Sequence, residues 1–323
     1  MNAKGDQLRL HIDQIHVGAG TQIGPVTTFP VWTAATALPG LEAPSASAVA
    51  VAELPEPRID ALSVAVSGTS PVLLAEGTLL AGGMQTRVLA HDAVIRPEER
   101  LMVETTCVEA GRWGGGTSHT LSGRVPVRVI SDLRRVRRPA NGRNDRAGQH
   151  DRQGRVWESV GRYEQHYGQR PTSSLLDLME DPDDEQPTRR RYRRLYDALR
   201  KHSSQRLPGQ SGVIVAIGGQ PVLLEVFPSV RLFAAHLRGL LLGLAMDAAM
   251  FPDVPTPARR ARRFAERLMA APLTAMQEIP DGVIYGASVG YLDVRALDAR
   301  VGQREGSAHV LAINSRHDLV LAA

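Results

Sequence analysis

Cysteine is almost absent from this chain of 323 residues, since Cys107 is the only one. A lone cysteine cannot form a disulfide within the chain, and it cannot supply the several thiolates of a structural zinc site. The sequence therefore excludes the disulfide-rich secreted class and the zinc-finger class.

Lysine is nearly as scarce, because Lys4 and Lys201 are the only two lysines and the other basic residues are arginine. The 38 basic residues exceed the 34 acidic residues by four, which gives a formal net charge of +4 at pH 7. A surplus this small in a chain of this length is weak evidence for nucleic-acid binding.

Long uninterrupted apolar runs are missing as well. The first residues, MNAKGDQLRLHIDQ, carry charges where a signal peptide has its apolar region. The most apolar segment, 229–250, is interrupted by Arg231, His236, Arg238 and Asp247, and it falls short of the roughly 20 apolar residues that span a membrane. We therefore expect a buried helix there, a cytoplasmic location and no membrane partner.

Several standard catalytic motifs are also missing. No phosphate-binding loop, dinucleotide fingerprint, GxSxG elbow, HExxH pair or kinase signature occurs in the sequence. The histidines at positions 11, 16, 150 and 166 stand singly, without the companions that a metal site requires. We predict no metal site, and the sequence identifies no cofactor.

Short segments of alternating apolar and polar residues fill the chain from residue 8 to about 130. Examples are ALSVAVSG, VLLAEGTLLAGG, QTRVLAHDAVI and LMVETTCVE, separated by glycine- and proline-containing breaks. Six or seven such strands predict a sandwich or barrel-like β unit over residues 1–133.

The second half of the chain has a different sequence pattern, with helical as well as alternating spacing of apolar residues. A basic, polar stretch at 134–155 predicts a linker or loop, and helical spacing follows from Val156. GVIVAIGGQPVLLEVF predicts a hairpin, helices follow from Ser229 and near 258–271, and GVIYGASVGYLDVRAL, SAHVLAIN and DLVLAA predict strands. The fold class is α+β, a β-rich N-terminal half packed with a mixed helix and hairpin unit at 156–323 in one interdependent body.

Two strands of the first half carry polar residues in phase. Side chains alternate along a strand, so Gln85 shares a face with Arg87, and Cys107 shares one with Glu109. A turn at residues 96–99 predicts that the two strands are antiparallel neighbours. If both polar faces point the same way, these four residues line one surface with Arg112 and Trp113, and that surface suits an anion or a sugar.

The string GGMQTRVL, followed about twenty residues later by CVEAGRW, resembles the domain family named for its association with ARG and rhodanese-phosphatase-superfamily proteins. Weaker similarity extends the resemblance over roughly residues 8–250, through Gln153, Val156 and Trp157, Pro171-Thr172, and the hairpin end at Glu225 and Phe227. Glu225 stands where the family pattern has Asp. The residues that match the specific part of the family pattern are Glu76, Gly77, Gly82, Gly83, Gln85, Arg87, Cys107, Val108, Glu109, Gly111, Arg112 and Trp113.

The resemblance implies a prokaryotic protein encoded near ADP-ribosylglycohydrolase-like and phosphatase-like partners. It therefore implies a phosphorylated small-molecule ligand of the ADP-ribose or nucleotide type. On this interpretation Glu109 is the general acid or base, Arg87 or Arg112 holds a phosphate and Gln85 orients the substrate, while Glu76, Cys107 and Trp113 complete the binding surface.

Other interpretations stay open at this point. Arg87 and Glu109 also suit a buried structural pair with Trp113 packed over it, and Cys107 suits a buried apolar role better than a nucleophile. The whole chain also suits a non-catalytic scaffold that contacts a partner protein. RNA binding through the arginine runs is less favoured, because the acidic run at 180–185 precedes the run at 189–194 and is able to pair with it.

Overall fold

The computed structural model describes residues 12–35, 38–135, 146–180 and 186–321. Some sequence predictions fall partly outside these ranges. They are the start of the first strand at residue 8, residues 136–145 of the predicted linker, and residues 181–185 of the acidic run.

Strands dominate the described chain. They are β1 (Ile12–Val17), β2 (Thr21–Ile23), β3 (Val26–Ala35), β4 (Val49–Ala52), β5 (Ala61–Val66), β6 (Val72–Leu74), β7 (Thr78–Gly82), β8 (Arg87–Leu89), β9 (Ala93–Ile95), β10 (Arg100–Cys107), β11 (Ser118–Arg124), β12 (Gly212–Ile217), β13 (Gln220–Val226), β14 (Thr274–Ile279), β15 (Gly282–Val289), β16 (Leu292–Val301) and β17 (Arg304–Asn314). The helices are α1 (Val127–Arg134), α2 (Arg146–Tyr167), α3 (Leu175–Glu180), α4 (Pro187–His202), α5 (Val230–Gly243), α6 (Ala245–Ala249), α7 (Ala258–Met269) and α8 (Asp318–Leu321). The α+β class is confirmed.

The chain forms two compact units, and each unit collects segments that are distant in sequence. Their bounds differ from the sequence-based division at residues 133 and 156, because contacts rather than chain order define them. Unit 1 comprises residues 1–43, 198–238 and 251–322, and unit 2 comprises 44–197, 239–250 and 323.

Unit 2 contains a closed barrel with the strand order β10-β5-β4-β11-β7-β8, in which neighbouring strands are antiparallel. Strands β6 and β9 form a separate pair. Val51, Leu62, Val64, Leu80 and Leu89 belong to one buried core in this unit. The period-two pattern placed these side chains inside, so the predicted barrel-like unit is confirmed.

Antiparallel pairing brings one set of strand ends to the same end of the barrel. There β4, β7 and β10 finish, while β5, β8 and β11 begin, and Cys107 pairs with Arg87 across β10 and β8. We call this end of the barrel, with residues 53, 83–87, 107–112 and 119, the motif end. The predicted antiparallel contact between the two polar strands is confirmed.

The helices of unit 2 depart from the sequence prediction in two places. Residues 127–134, at the end of the stretch predicted to form strands, form the fully buried helix α1, and Pro126 with φ −54° precedes its first turn. Helix α2 begins at Arg146, so residues 146–155, predicted as linker, are helical. The prediction of a linker was wrong for these residues, because the polar first turns of α2 lack the apolar periodicity that indicates a helix. Ser174 caps the short helix α3, where the Asp177 N–H donates to Ser174 Oγ at 3.2 Å.

Unit 1 is built on an antiparallel sheet in the order β1-β3-β12-β13-β17-β16-β15-β14, with β2 paired to β3. The predicted hairpin is confirmed as β12 and β13, and Gly218 (φ 56°) and Gly219 (φ 87°) form its turn, which only residues tolerant of positive φ allow. Helix α7 covers the sheet with Phe264 and Leu268 in the core.

The end of unit 1 contradicts the sequence prediction of a strand at DLVLAA. Residues Asp318–Leu321 form the short helix α8 instead. His317 Nδ1 accepts the N–H of Leu319 at 3.1 Å and so satisfies a donor in the first turn. An apolar run this short does not distinguish a strand from a helical turn.

The apolar segment Val230–Ala249 is long and apolar enough to cross a membrane by length and composition, and 72% of its most apolar window is buried inside the protein. The helix begins as predicted, with the Leu232 N–H donating to Ser229 Oγ at 3.2 Å. The buried helix expected from the sequence is confirmed as α5 and α6.

Candidate functional site

Most of the residues singled out in the sequence meet at the motif end of the barrel, but they form two separate clusters. Arg87 belongs to one cluster, whereas Glu109 and Arg112 belong to the other. The pairing of Arg87 with Glu109 that the sequence suggested does not occur.

Glu53 is the centre of the first cluster. Its carboxylate accepts two hydrogen bonds from Arg87 Nη2, both at 3.0 Å, and one from the Met84 N–H at 3.0 Å. Its Oε1 also lies 3.0 Å from Nε2 of His119. The side chains of Glu53, Arg87 and His119 are at most 1% exposed. Arg87 is therefore closed off from any ligand and neutralised by its neighbour.

Arg112 holds the second cluster together, and all five of its N–H groups have partners. Nε and Nη2 donate to Glu109 at 2.8 and 2.6 Å. The remaining donors reach the carbonyl oxygens of Gly82, Gly83 and Gly114. A guanidinium with no free donor cannot also hold a phosphate.

Glu109 is equally satisfied. Besides Arg112, it accepts the Thr86 N–H at 2.9 Å and the Thr172 hydroxyl at 3.0 Å. Burial opposes ionisation of Glu109, but these hydrogen bonds outweigh it and lower its pKa to about 2. A general base needs a higher pKa and a free oxygen, so the geometry favours the structural interpretation of this residue.

Cys107 is fully buried at the end of β10. Its Sγ donates to the Glu109 carbonyl at 3.1 Å and accepts the Glu109 N–H at 3.2 Å. Burial raises the pKa of the Cys107 thiol. These features describe an unreactive thiol that shapes the chain turn after β10.

Two glycines of the motif lie so close to neighbouring atoms that a side chain would not fit there. A Cβ on Gly83, which has φ +55°, would lie 2.0 Å from His119 Nε2. A Cβ on Gly111 would lie 2.8 Å from Cα of Thr172, where the Gly111 N–H donates to the Thr172 carbonyl at 2.8 Å. Both glycines are therefore required for the backbone packing of the motif end.

Gln85 and Trp113 flank the second cluster in different ways. Gln85 is buried and donates through Nε2 to the Glu109 carbonyl at 3.1 Å, while its Oε1 has no hydrogen-bond partner in the described part of the chain. Trp113 is 52% exposed. It does not cover a buried ion pair, as the structural alternative had suggested.

Glu76 lies apart from the other predicted residues, because it precedes β7 and so falls at the opposite end of the barrel. Its carboxylate forms a buried ion pair with Arg134, and its carbonyl accepts from Arg124 Nη2 at 2.8 Å. Its N–H donates to Asp92 at 2.7 Å. Glu76 therefore ties α1 to the barrel and does not join the predicted surface.

A cavity of about 640 Å³ lies beside the motif end, between the β4–β5 connection, strand β10 and helix α2. This volume falls in the range of small-molecule sites, roughly 300–1,000 Å³. The residues that line it are Arg58, Ile59, Asp60, Thr105, Thr106, Gln149, His150, Arg152 and Gln153.

The motif residues build two walls of this cavity. Arg87 Nη1 donates to the carbonyl oxygens of Arg58 and Ala61 and so fixes the β4–β5 connection. Gln153 accepts the Cys107 N–H at 2.9 Å and donates to the Cys107 carbonyl at 2.8 Å, which attaches α2 to β10. The motif thus holds the cavity in shape without lining it with its own charges.

The cations of the cavity are matched by carboxylates but keep free donors. Arg58 donates through Nε and Nη2 to Asp60, at 3.0 and 2.7 Å. Arg152 pairs with Glu104, and its Nε has no partner among the described residues. Burial opposes ionisation of Glu104, but its bonds to His91 and Arg152 lower its pKa to about 2.

Sequence reasoning missed the residues that complete this site. Glu53 and His119 belong to segments without any recognisable motif, so nothing in the sequence indicated them. Gln153 and Thr172 did give a signal, since they fall in the weaker stretches of family similarity.

Within the described ranges, no group of three or more His, Cys, Asp or Glu residues is arranged to hold a metal ion.

The comparison with known proteins identifies one family. Neither a curated protein nor a solved structure matches the chain. The profile of one family matches residues 14–308, which include both strands of the motif, the cavity and most of the described chain. The chain therefore belongs to the ARG and Rhodanese-Phosphatase-superfamily-associated Protein domain family.

Proposed function

We propose that this protein binds a small molecule of the ADP-ribose or nucleotide type in the cavity between β10 and α2. The observation that carries the proposal is a cavity of ligand size lined by polar side chains that have no hydrogen-bond partner in the described chain. Family membership supports the same ligand class, through the association that the family description gives.

These polar groups, which both donate and accept apart from the Arg58 guanidinium, come from three sides of the cavity. No hydrogen bond within the described chain occupies the Thr106 hydroxyl, the Gln149 amide or the His150 imidazole, and Arg58 uses only two of its nitrogens. Ribose, phosphate and base all present acceptor oxygens or nitrogens. Because Asp60 and Glu104 balance the two arginines, recognition here depends on hydrogen-bond geometry more than on net charge.

Binding without turnover is the form of this function that the geometry favours. Glu109 has no free oxygen, and Cys107 is an unactivated thiol that does not face the cavity. Among the titratable side chains that line the cavity, His150 alone is free of a described partner, and a single exposed imidazole is a weak catalytic apparatus.

The test compares two glutamines of the same helix. Gln149 lines the cavity, whereas Gln165 is an exposed residue of α2 outside the lining. Isothermal titration calorimetry with ADP-ribose, AMP, NAD and free ribose should detect binding to the wild type. We expect Gln149→Ala and His150→Ala to weaken that binding about tenfold, which is roughly 1.4 kcal/mol, and Gln165→Ala to leave it unchanged.

Two outcomes would overturn the proposal. One is the absence of binding by every compound of the panel, which would favour the scaffold interpretation and a search for a protein partner. The other is binding that Gln149→Ala and Gln165→Ala affect equally, which would place the ligand elsewhere. Chromatography of the incubated ligand shows separately whether any turnover occurs.

A further inference from the structure

Unit 1 contains a second concave region, unrelated to the motif. A groove of about 520 Å³ lies beside helix α7, the β12–β13 turn and the connection from β17 to α8. Phe251, Phe264 and Tyr291 are among its lining residues, and none of its residues lines the cavity of unit 2.

Four arginines are among the residues that line this groove. Arg260, Arg263 and Arg267 follow one another at three- and four-residue spacing, so they lie on one face of α7. Arg316, from the β17–α8 connection, adds a fourth cation. The three helical arginines extend over roughly 10 Å of helix at 1.5 Å per residue.

Two of these arginines are held in place by uncharged partners. Arg260 Nη1 donates to the Gly219 carbonyl at 2.6 Å. The guanidinium carbon of Arg267 lies 4.4 Å from the centre of the Tyr291 ring, and Phe264 stacks with that ring at 6.0 Å between centroids. Such contacts fix the side chains without neutralising them, which lowers the entropy lost when an anion binds.

The charge of the groove is not balanced. No carboxylate of the described residues forms an ion pair with Arg260, Arg263, Arg267 or Arg316, and Asp318 is the one acidic residue in the lining. Unit 2 provides the contrast, since Arg87, Arg112 and Arg134 each pair with a glutamate. A concave surface with a surplus of arginine attracts anions, and the planar guanidinium matches phosphate oxygens in pairs.

The remaining polar groups of the groove suit binding and not catalysis. His317 is buried, its Nε2 donates to the Ile217 carbonyl at 3.0 Å, and its Nδ1 accepts the Leu319 N–H at 3.1 Å. Both ring nitrogens are therefore occupied in the neutral form, and burial lowers the pKa of His317. His317 is a fixed wall of the groove.

We propose that this groove is an anion site that binds the phosphate group of a small molecule. A groove of about 520 Å³ has the size of a small-molecule site, which favours a compact phosphate ester over an extended nucleic acid. Only part of the arginine run of α7 faces the groove, since Arg259 and Arg262 are exposed residues outside its lining. The site uses none of the residues of the cavity in unit 2, so it stands or fails independently of the function proposed above.

Neighbouring arginines of one helix make the test specific. Arg263→Gln and Arg316→Gln remove cations that line the groove, and Arg259→Gln and Arg262→Gln remove the same charge from exposed positions outside it. Binding of inorganic phosphate and inorganic pyrophosphate to the full chain is measured by isothermal titration calorimetry at low and at physiological ionic strength. We expect the groove variants to lose about tenfold or more in affinity for the better of the two ions, and the control variants less than about twofold.

Three results would overturn this site. The first is an absence of binding to the wild type at low ionic strength. The second is an equal loss in the groove and control variants, which indicates general charge attraction. The third is tighter binding of a single-stranded RNA oligonucleotide, with the groove and control arginines contributing equally, which would identify α7 as a nucleic-acid surface.

Discussion

Arg87 pairs with Glu53, which lies 34 positions earlier in the chain, and not with Glu109, which follows the strand that pairs with β8. Both hydrogen bonds measure 3.0 Å, and the two side chains are 0% and 1% exposed. The arginine of the family motif is therefore neutralised within the protein, and its carbonyl contacts at Arg58 and Ala61 show that it serves to shape the cavity.

Replacing this arginine should be costly. Arg87→Met leaves the Glu53 carboxylate buried without its main partner, so we expect a loss of about 3–5 kcal/mol in the free energy of unfolding, measured by urea denaturation at pH 7. Arg96→Met is the control, because the Arg96 and Glu99 side chains are both 50% exposed and such a pair contributes less than about 1 kcal/mol. Equal stability of the two variants would contradict the structural role of Arg87.

Glu109→Gln tests the second cluster. A glutamine retains the shape but not the charge that Arg112 requires, so we expect a loss of about 1.5–3 kcal/mol in stability and no selective loss of ligand binding at temperatures where the variant is folded. Arg112→Met and the double variant complete a double-mutant cycle that isolates the coupling of the pair. A fully stable Glu109→Gln protein that no longer binds ligand would instead identify Glu109 as a ligand contact.

Gly83→Ala tests the close packing of the motif end. The added Cβ would meet His119, which Glu53 holds in place, whereas a Cβ at Gly123 (φ +99°) has no atom within 4 Å. Gly123→Ala therefore incurs only the positive-φ penalty of about 1–2 kcal/mol. We expect Gly83→Ala to lower the thermal midpoint clearly further, and equal midpoints would show that the motif end adjusts freely.

Asp247 makes the stability of the protein depend on pH. Burial raises the pKa of this carboxyl to about 6, and the Tyr163 hydroxyl donates to it at 2.5 Å. A carboxyl whose pKa is higher in the folded state stabilises most below its unfolded pKa, near 4, and that contribution disappears as pH rises through about 6.

Asp247→Asn removes this titration while the other carboxylates stay common to both proteins. Relative to the wild type, the variant should gain about 2 kcal/mol in stability between pH 4 and pH 7. Urea denaturation at several pH values in that interval measures the difference. Parallel stability curves for the two proteins would show that Asp247 has an ordinary pKa.

Local pattern was sufficient for much of the fold. The Gly218-Gly219 turn and the serine cap of α5 were predicted from a few neighbouring residues, because turn geometry and capping act over three or four positions. The segment at 127–134 was left open because its burial on all sides hides the periodicity that separates helix from strand, and the segment at 318–321 was predicted wrongly because it is too short to show a period.

The sequence by itself determined the fold class, the barrel-like β unit of the first half, the hairpin and the family. Each of these depends on short-range pattern or on a contiguous motif. The tertiary structure alone decided which charges pair and which stay available. Glu53 reaches Arg87 and His119 only through barrel closure, and the arginines of α7 line a groove only because segments distant in sequence fold around them. Partner choice among buried charges depends on distances of a few ångströms, which strand register and helix packing set.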